Sequence, residues 1–474
     1  MNWIPGTLEL TSKVRYGITS RGVPIFRFVP YDKLLRPLAV SCSQRNLFYN
    51  IHAIVSSEGA EGGEKAGTLQ KGILIQNLGI PTTESETTLL LANYAFDCKK
   101  ELRPRKEREK GVALSLSFPD MEKRTVLKGF TFNIDPPGCR DVDDSFTVSQ
   151  VDIDNWQISI NIADVSSFIE EGSELDIQAL RKATSFYSPT GECLAPMFPS
   201  EISESAASLG SDEPRPALSL QFIYGPDGLH SFKWEETVVV RSRSFTYDEA
   251  NTLLHKYTEL QVIKDVTKGA DSHEWVQRLM ILYNKKAGEA LKKSGKGILR
   301  SHSVPKAEEL AQLIAINPEF GILAYEAATF CLPTDNTQHF GLDTEAYAYA
   351  SSPIRRYCDL VNQRALKDCV DANAKAKENL IYHLNRRQKQ AKAFSRDFFF
   401  MTELSNTKDA VEGTVISAIQ KGKIKIYVPV WKRSIKVRSL DCQNAPLPGT
   451  KVSIDWYDDR GKPNWKERII FRIR

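Results

Sequence analysis

The segment Phe130-Thr-Phe-Asn-Ile-Asp-Pro-Pro-Gly-Cys-Arg-Asp-Val-Asp-Asp-Ser-Phe146 constrains this chain more than any other. Phe130, Phe132 and Ile134 alternate with polar residues, which predicts a half-buried strand that delivers Asp135 at its end. Pro136, Pro137 and Gly138 then forbid helix and ladder alike, so the chain must turn. Asp135, Asp141, Asp143 and Asp144 fall within ten positions around that turn. Carboxylates so close repel one another by several kcal/mol at reduced dielectric. A solvated acidic loop is the plain alternative. The apolar strands on either side instead anchor this loop beside a core, where a hard divalent cation such as Mg²⁺ removes the repulsion.

Bulk properties set the frame. At 474 residues, with 41% hydrophobic and 26% charged residues, the chain has the composition of a soluble globular protein of about two to four domains. The net charge of +4 is uneven: from Val411 to the end there are 14 lysines and arginines against 6 acids, a net of +8, which leaves −4 for the rest. A basic module beside a carboxylate site suits a polyanionic substrate. The eight cysteines have no Cys-x-x-Cys pair and no His at zinc spacing, which argues against a structural zinc or a disulfide scaffold and for a reducing compartment. The N-terminus lacks the pattern of a secretory leader, and no apolar run approaches membrane-spanning length. An intracellular protein is expected, cytoplasmic or nuclear and not secreted, with no membrane partner.

Residues 1–98 read as short strands such as Val23–Val29 and Gly72–Leu78, with a flexible loop at Ser56–Glu64, and suggest a small β-barrel. Lys99–Lys110 is a mixed-charge connector. From about 124 to 405, strands and helices mix. A hairpin is predicted at Phe146–Val151 and Trp156–Ile162, a capped helix from Ser173, and helices over 274–293, 307–316, 353–371 and 377–403. The last 64 residues return to short strands and suit a five-stranded oligonucleotide-binding (OB) barrel, with Lys432, Arg433, Lys436 and Arg438 placed to displace counterions from a polyanion. The expected fold class is α+β and multi-domain, a mixed α/β core flanked by two barrels.

Tyr349-Ala-Ser-Ser-Pro-Ile-Arg-Arg-Tyr-Cys-Asp-Leu-Val361 is the second constellation. Ser352 as N-cap and Pro353 at the first position predict a helix start that places Arg355 and Arg356 in the first turn. The helix dipole disfavours cations there unless an anion lies at that end, so the pattern suggests a phosphate grip. Pairing of both arginines with surface acids is the alternative. Lys182-Ala-Thr-Ser-Phe-Tyr-Ser-Pro189 adds two aromatics, Phe186 and Tyr187, able to stack on bases or to fill core.

Taken together these segments resemble the RNase II family of processive 3′→5′ exoribonucleases, and within it the eukaryotic exosome-associated branch. Ile134–Asp144 is similar to the family's aspartate signature, Asn161-Ile-Ala-Asp-Val-Ser-Ser-Phe168 to the strand after it, and Ser352–Asp359 to its second signature. Fainter likenesses are Ser272-His273 leading into Leu279–Asn284, Leu299-Arg300 with His302, and His339–Leu342. The likeness runs over most of residues 125–400. It implies hydrolysis of single-stranded RNA from its 3′ end to 5′-mononucleotides, with one or two Mg²⁺ ions or Mn²⁺ as a substitute. Asp135, Asp141 and Asp144 would be the metal ligands, Asp143 the most sensitive catalytic carboxylate and Arg355 the group that steadies the phosphate. Tyr187, Arg356 and Arg300 would contact RNA. It also implies a cold-shock-like OB barrel over 1–98, a linker over 99–123, an RNB catalytic domain over 124–405 and an S1-like OB barrel over 406–474; the sequence leaves protein partners open and is compatible with a monomer.

Several positions depart from the family. Gln277 and Arg278 replace an acidic pair, Lys285 follows Asn284, and Tyr349 stands where a His is usual. The stretch between Phe245 and Ser272 is short, as if a strand pair lining the RNA channel were missing. Phe394-Ser-Arg-Asp397 does not reproduce an acidic residue of the bacterial members. These departures keep open a non-catalytic RNA-binding protein on the same scaffold, as a subunit of a larger complex. Another metal-dependent phosphodiesterase, such as an endonuclease, is a third reading.

Overall fold

A computed structural model of the chain describes residues 3–57, 69–94, 121–367, 374–420, 423–438 and 446–474. Most of the expected loop at Ser56–Glu64 and the connector at 99–110 lie outside the described residues. Five strands, β1 (Trp3–Leu8), β2 (Ile25–Pro30), β3 (Leu38–Ser41), β4 (Ile51–Ser56) and β5 (Gln70–Gly79), close into a barrel in the order β1-β2-β3-β5-β4. Its interior is Leu8, Phe26, Phe28, Val40, Ala53 and Val55. Gly72 is required there, because a Cβ would come within 2.7 Å of the Val55 side chain. The helix Thr83–Tyr94 then packs Leu89 and Ala92 on the outer face of β4 at Ile54.

The central sheet has seven strands: β6 (Thr125–Val126), β7 (Phe130–Asp135), β8 (Asp144–Gln150), β9 (Trp156–Ala163), β12 (Arg215–Gly225), β13 (Gly228–Val239) and β14 (Arg243–Thr246), in the order β14-β7-β8-β9-β12-β13-β6. Two small pairs, β10 (Phe186–Tyr187) with β11 (Cys193–Ala195) and β15 (Leu299–Ser301) with β16 (Thr329–Cys331), lie apart from it. One face is aromatic and aliphatic: Phe132, Ile134, Phe146, Val148, Ile160 and Phe222 pack against Leu260, Ile263, Trp275, Leu279 and Tyr283 of the helices Thr258–Thr267 and Ser272–Ser294.

The other face corrects the expectation of a half-buried β7. Thr131 and Asn133 are as buried as Phe132. A hydroxyl and amide ladder satisfies that face instead of water: Thr131 and Thr147 hydroxyls lie 2.9 Å apart, Asn161 donates to Thr147 (2.9 Å), and Ser219 donates to Asn161 (2.7 Å). Alternation identified the strand but could not tell solvent from a buried polar layer.

The long helix Ala374–Asn406 carries the chain to the last barrel and inserts Phe400, Met401 and Leu404 into its core. Strands β17 (Val411–Gln420), β18 (Lys423–Val428), β19 (Arg433–Arg438), β20 (Lys451–Asp458) and β21 (Ile469–Ile473) run in the order β19-β18-β17-β20-β21 and form a nearly closed barrel. In place of a strand pair, residues 247–267 form the helices Tyr247–Thr252 and Thr258–Thr267 with a single turn between them.

Candidate active site

The turn after β7 is built as its sequence demands: the Cys139 amide donates to Pro136 O at 3.1 Å and Gly138 takes φ +80°, a conformation that favours glycine. Residues 208–209 then pin the returning loop. Ser208 Oγ accepts from the Val142 amide (3.2 Å) and donates to Arg140 O (2.6 Å), while the Leu209 amide donates to Val142 O (3.0 Å). The Ala163 amide donates to Asp143 O (2.8 Å), which starts β8 in register with β9. Nothing local in the sequence marks Ser208 for this role.

Asp143 is the centre of the arrangement. It is 4% exposed, accepts the Ile354 amide at Oδ1 (2.9 Å) and the Arg355 Nε at Oδ2 (2.8 Å), and joins the two signatures across more than 200 residues of chain. Burial raises its carboxyl to about 7, against the opposing field and hydrogen bonds of Arg355 and Ile354. The Arg355 side chain is 44% exposed, so it is paired on one side and open on the other.

The expected helix start at Ser352 moves. The helix runs over Tyr357–Leu366, with Arg356 extended at its N-cap (φ −136°, ψ 122°). Asp143 takes the Ile354 amide that a Ser352 cap would have bonded, the Ser352 hydroxyl accepts from Arg355 Nη2 (2.9 Å) instead, and the Ser352 amide goes to buried Asp359 (2.9 Å). Arg356 pairs backbone to backbone with Thr184, and the Ser185 amide donates to Arg355 O (2.9 Å). Arg355 therefore precedes the helix, and Arg356 stands at its N-cap rather than in its first turn. Arg356 Nη2 instead donates to Asp359 Oδ1 at 2.7 Å.

The same stitch brings Tyr187 into the corner. Its hydroxyl donates to Asp141 Oδ2 at 2.6 Å, while Phe186 is core against Phe394. Asp135 accepts from Asn133 Nδ2 (2.7 Å), and burial raises its carboxyl. Asp144 is pushed up further, first by burial and then by the fields of Asp135 and Asp143. Two residues escaped sequence reasoning. Asn133 also donates to Ser244 (3.1 Å) and keeps its Oδ1 buried without a partner. Tyr247 follows a capping box at Thr246–Glu249, a detectable signal, and its hydroxyl is raised to about 12 by burial and by Asp135 and Asp144. Tyr247 also stacks on His273 at 3.8 Å, which gives the Ser272-His273 pair its place.

Among the described residues no three His, Cys, Asp or Glu side chains already stand as a metal-binding set. The donor chemistry nonetheless fits a hard cation. Asp135 and Asp144 are largely withdrawn from water and destabilise each other's charge, and oxygen ligands are what Mg²⁺ takes. Asp141 is turned to Tyr187, so the fit rests first on Asp135 and Asp144.

The remaining predicted residues divide. Arg300 is 3% exposed, donates to Gln388 (2.5 Å) and Ala328 O (3.1 Å), and stacks on Tyr349 at 4.0 Å. Arg356 stacks on the same ring at 4.1 Å, so the Tyr349 departure serves as a platform for two guanidinium groups. In the last barrel Lys432, Lys436 and Arg438 are exposed. Arg433 is not with them: it pairs with buried Asp397 (3.0 Å) and covers Phe400 and Trp465. Arg278 donates to the carbonyls of Thr267 and Lys268 (both 2.9 Å) and caps the preceding helix, and Gln277 is exposed on the same outer face.

Comparisons with known proteins bear on the fold and the family of this chain. The RNB domain family model matches residues 124–268 and 323–372. The chain is 23% identical over 504 residues to the exosome complex exonuclease RRP44 of Homo sapiens, a match that covers 85% of this chain and 52% of that protein. It is 24% identical over 334 residues to Ribonuclease R 2 of Lactococcus lactis, covering 53% and 50% of the two chains. The chain thus spans about half the length of the curated relatives it matches. Among solved structures, the apo form of Mycoplasma genitalium RNase R aligns with a TM-score of 0.77 at 16% identity, covering 99% of this chain and 90% of that one. Yeast Ssd1, a pseudonuclease, aligns with a TM-score of 0.72 at 16% identity, covering 96% and 66%. With the aspartate loop, the second signature and both barrels in place, the chain carries an RNB domain of the RNase II/R family.

Proposed function

We propose that this protein is a Mg²⁺-dependent 3′→5′ exoribonuclease that degrades single-stranded RNA to 5′-mononucleotides. The observation that carries the reading is the Asp143–Arg355 pair, with one face of the guanidinium open beside the cluster of Asp135, Asp141 and Asp144. Mg²⁺ held by Asp135, Asp144 and Asp141 would neutralise phosphate charge and supply an activated water. The protein's own residues do the rest. Arg355 meets the phosphate as its charge builds, and a donor so placed supplies several kcal/mol of transition-state stabilisation. Asp143 fixes that guanidinium and, with a carboxyl near neutrality, holds or releases a proton beside it. Tyr187, anchored through its hydroxyl, presents its ring at the edge of the site, where a base stacks. RNase R of Mycoplasma genitalium has been solved with single-stranded and with double-stranded RNA, which supports RNA as the ligand class.

A binding protein without activity is the second reading. It is favoured by the commitment of Asp141 to Tyr187 and by the likeness to a pseudonuclease. The domain bounds stay as proposed from the sequence: a cold-shock-like barrel over 1–98, a linker to 123, a catalytic region to 405 and an S1-like barrel to 474.

The test uses 5′-labelled single-stranded RNA with Mg²⁺ or with EDTA. A Mg²⁺-dependent ladder that shortens from the 3′ end is expected, and Asp143→Asn should reduce its rate by at least about a hundredfold. Tight binding by the unaltered protein with no shortening would establish the binding-only reading in its place.

A further inference from the structure

The helix Ala374–Asn406 commits its inward side chains to the core. Arg387 donates to Lys182 O and Tyr94 O, Gln388 meets Arg300, and Phe394 and Phe400 are fully buried. What it leaves outside is a row of cations. Arg386, Lys389, Lys392 and Arg396 are three, three and four residues apart, so they share one side of the helix over about 15 Å at 1.5 Å per residue. All four are exposed, and none has an ion pair or hydrogen bond among the described residues. Within the row one field registers: the Lys392 ammonium is pushed down by partial burial of its stem and then by Arg300 and Arg396.

The row joins the candidate active site. Arg300 touches the helix at Gln388, leaves its buried Nε without a partner, and stacks on Tyr349. Arg356 shares that ring, and its neighbour Arg355 holds Asp143. Arg300, whose field reaches Lys392, and Arg356 therefore stand between the row and the acidic centre. Like charges at helical spacing repel, and none of the four has an acidic partner at ion-pair distance among the described residues. Lysine is depleted in protein–protein interfaces but arginine is enriched, so it is the position of the row beside the Asp143–Arg355 site, and not its composition, that favours a phosphate backbone over an acidic protein.

We infer that Arg386, Lys389, Lys392 and Arg396 form a phosphate-binding track that holds the backbone of single-stranded RNA on its way to the Asp143–Arg355 site. The inference rests on the exoribonuclease reading for its ligand. The track contacts phosphates and not base edges, so its contribution is independent of sequence and strongly dependent on salt.

The experiment is fluorescence anisotropy of a labelled oligouridylate on the full chain in EDTA, across a salt series, with all four residues changed to Gln. The slope of log K against log salt should fall by about 3, at roughly 0.7 for each lost phosphate contact, and affinity at low salt should fall at least about tenfold. The melting temperature should not change, because the four side chains are exposed and unpaired. An unchanged slope and affinity overturns the track. So does a variant that keeps its RNA affinity but no longer binds polyglutamate, since the row would then be a surface for an acidic protein. The two readings fail separately: RNA bound with the full salt slope but never shortened defeats the exoribonuclease and leaves the track standing.

Discussion

Asp143 keeps a carboxyl near neutrality although it accepts both a backbone amide and a guanidinium, because burial outweighs the two hydrogen bonds. Burial acts with the opposite sign on His339, whose imidazole is pushed down to about 4 by burial and then by His302 and Arg300. An unfolded imidazole titrates near 6.5. As pH falls from about 6.5 through about 4, the unfolded chain therefore binds a proton that the folded one refuses, and stability drops. A loss on the order of 1–3 kcal/mol is expected. Urea unfolding at neutral pH and near pH 4, for the parent and for His339→Gln, reads it as the extra loss in the parent; equal losses would remove His339 from the account. At this scale the sequence was an uneven guide. Spacing around Pro136-Pro137-Gly138 was enough to group Asp135 with Asp141, Asp143 and Asp144, since a turn has few shapes. Arg433 looked like its exposed neighbours Lys432 and Lys436, and only the buried Asp397 beneath it, 36 positions earlier, turned it inward.

Elements were legible where one local rule decided them, and less so where tertiary partners competed. Ser173 caps its helix as expected, with its side chain accepting from the Asp176 amide. Ser352 had as good a signal and lost it, because Asp143 reaches the Ile354 amide from elsewhere in the fold and Arg355 occupies the Ser352 hydroxyl. The helix Ser272–Ser294 carries a subtler constraint at Gly288, near its middle. A Cβ there would lie 2.8 Å from the backbone of Ala346 and Tyr347, the strand of chain that leads into Ser351–Arg356. Gly288→Ala ordinarily gains about 1 kcal/mol in a helix. Here the overlap is with backbone that cannot swing aside, so a net loss of about 1–3 kcal/mol is expected. Asn284, one turn earlier, holds Tyr347, Ser351 and the Ala350 amide, so the displacement should reach the arginines. Thermal melts and RNA affinity measured together test this: a lower melting temperature with weakened RNA binding is expected, and a variant more stable than the parent would show that the segment yields freely.

At the scale of the whole molecule the two barrels, distant in sequence, lock to each other. Glu86, on the helix after the first barrel, forms an ion pair with Arg468 Nη1 of the last barrel at 2.7 Å and lies 3.3 Å from His52 Nε2 of β4. Arg468 Nε also meets Asp458 at 3.0 Å. Around this pair, Trp465 Nε1 donates to the Tyr31 hydroxyl (2.6 Å), Thr7 Oγ1 to Pro463 O (2.6 Å) and Asn50 Nδ2 to Gly461 O (3.1 Å). The sequence showed two barrels but held no sign of this contact, since each partner alone reads as an ordinary surface residue. Glu86 and Arg468 are 1% and 3% exposed, so removing one strands the other away from water. Arg468→Met should cost about 3–5 kcal/mol, while Glu86→Gln combined with Arg468→Met should recover much of that loss by removing the stranded charge. Melting temperature and the rate of proteolysis within 446–474 report the two effects, because a barrel released from its lock exposes its termini to cleavage. If the single and the double variant melt together, the ion pair is not what joins the barrels, and the hydrogen bonds of Tyr31, Thr7 and Asn50 must hold the contact alone.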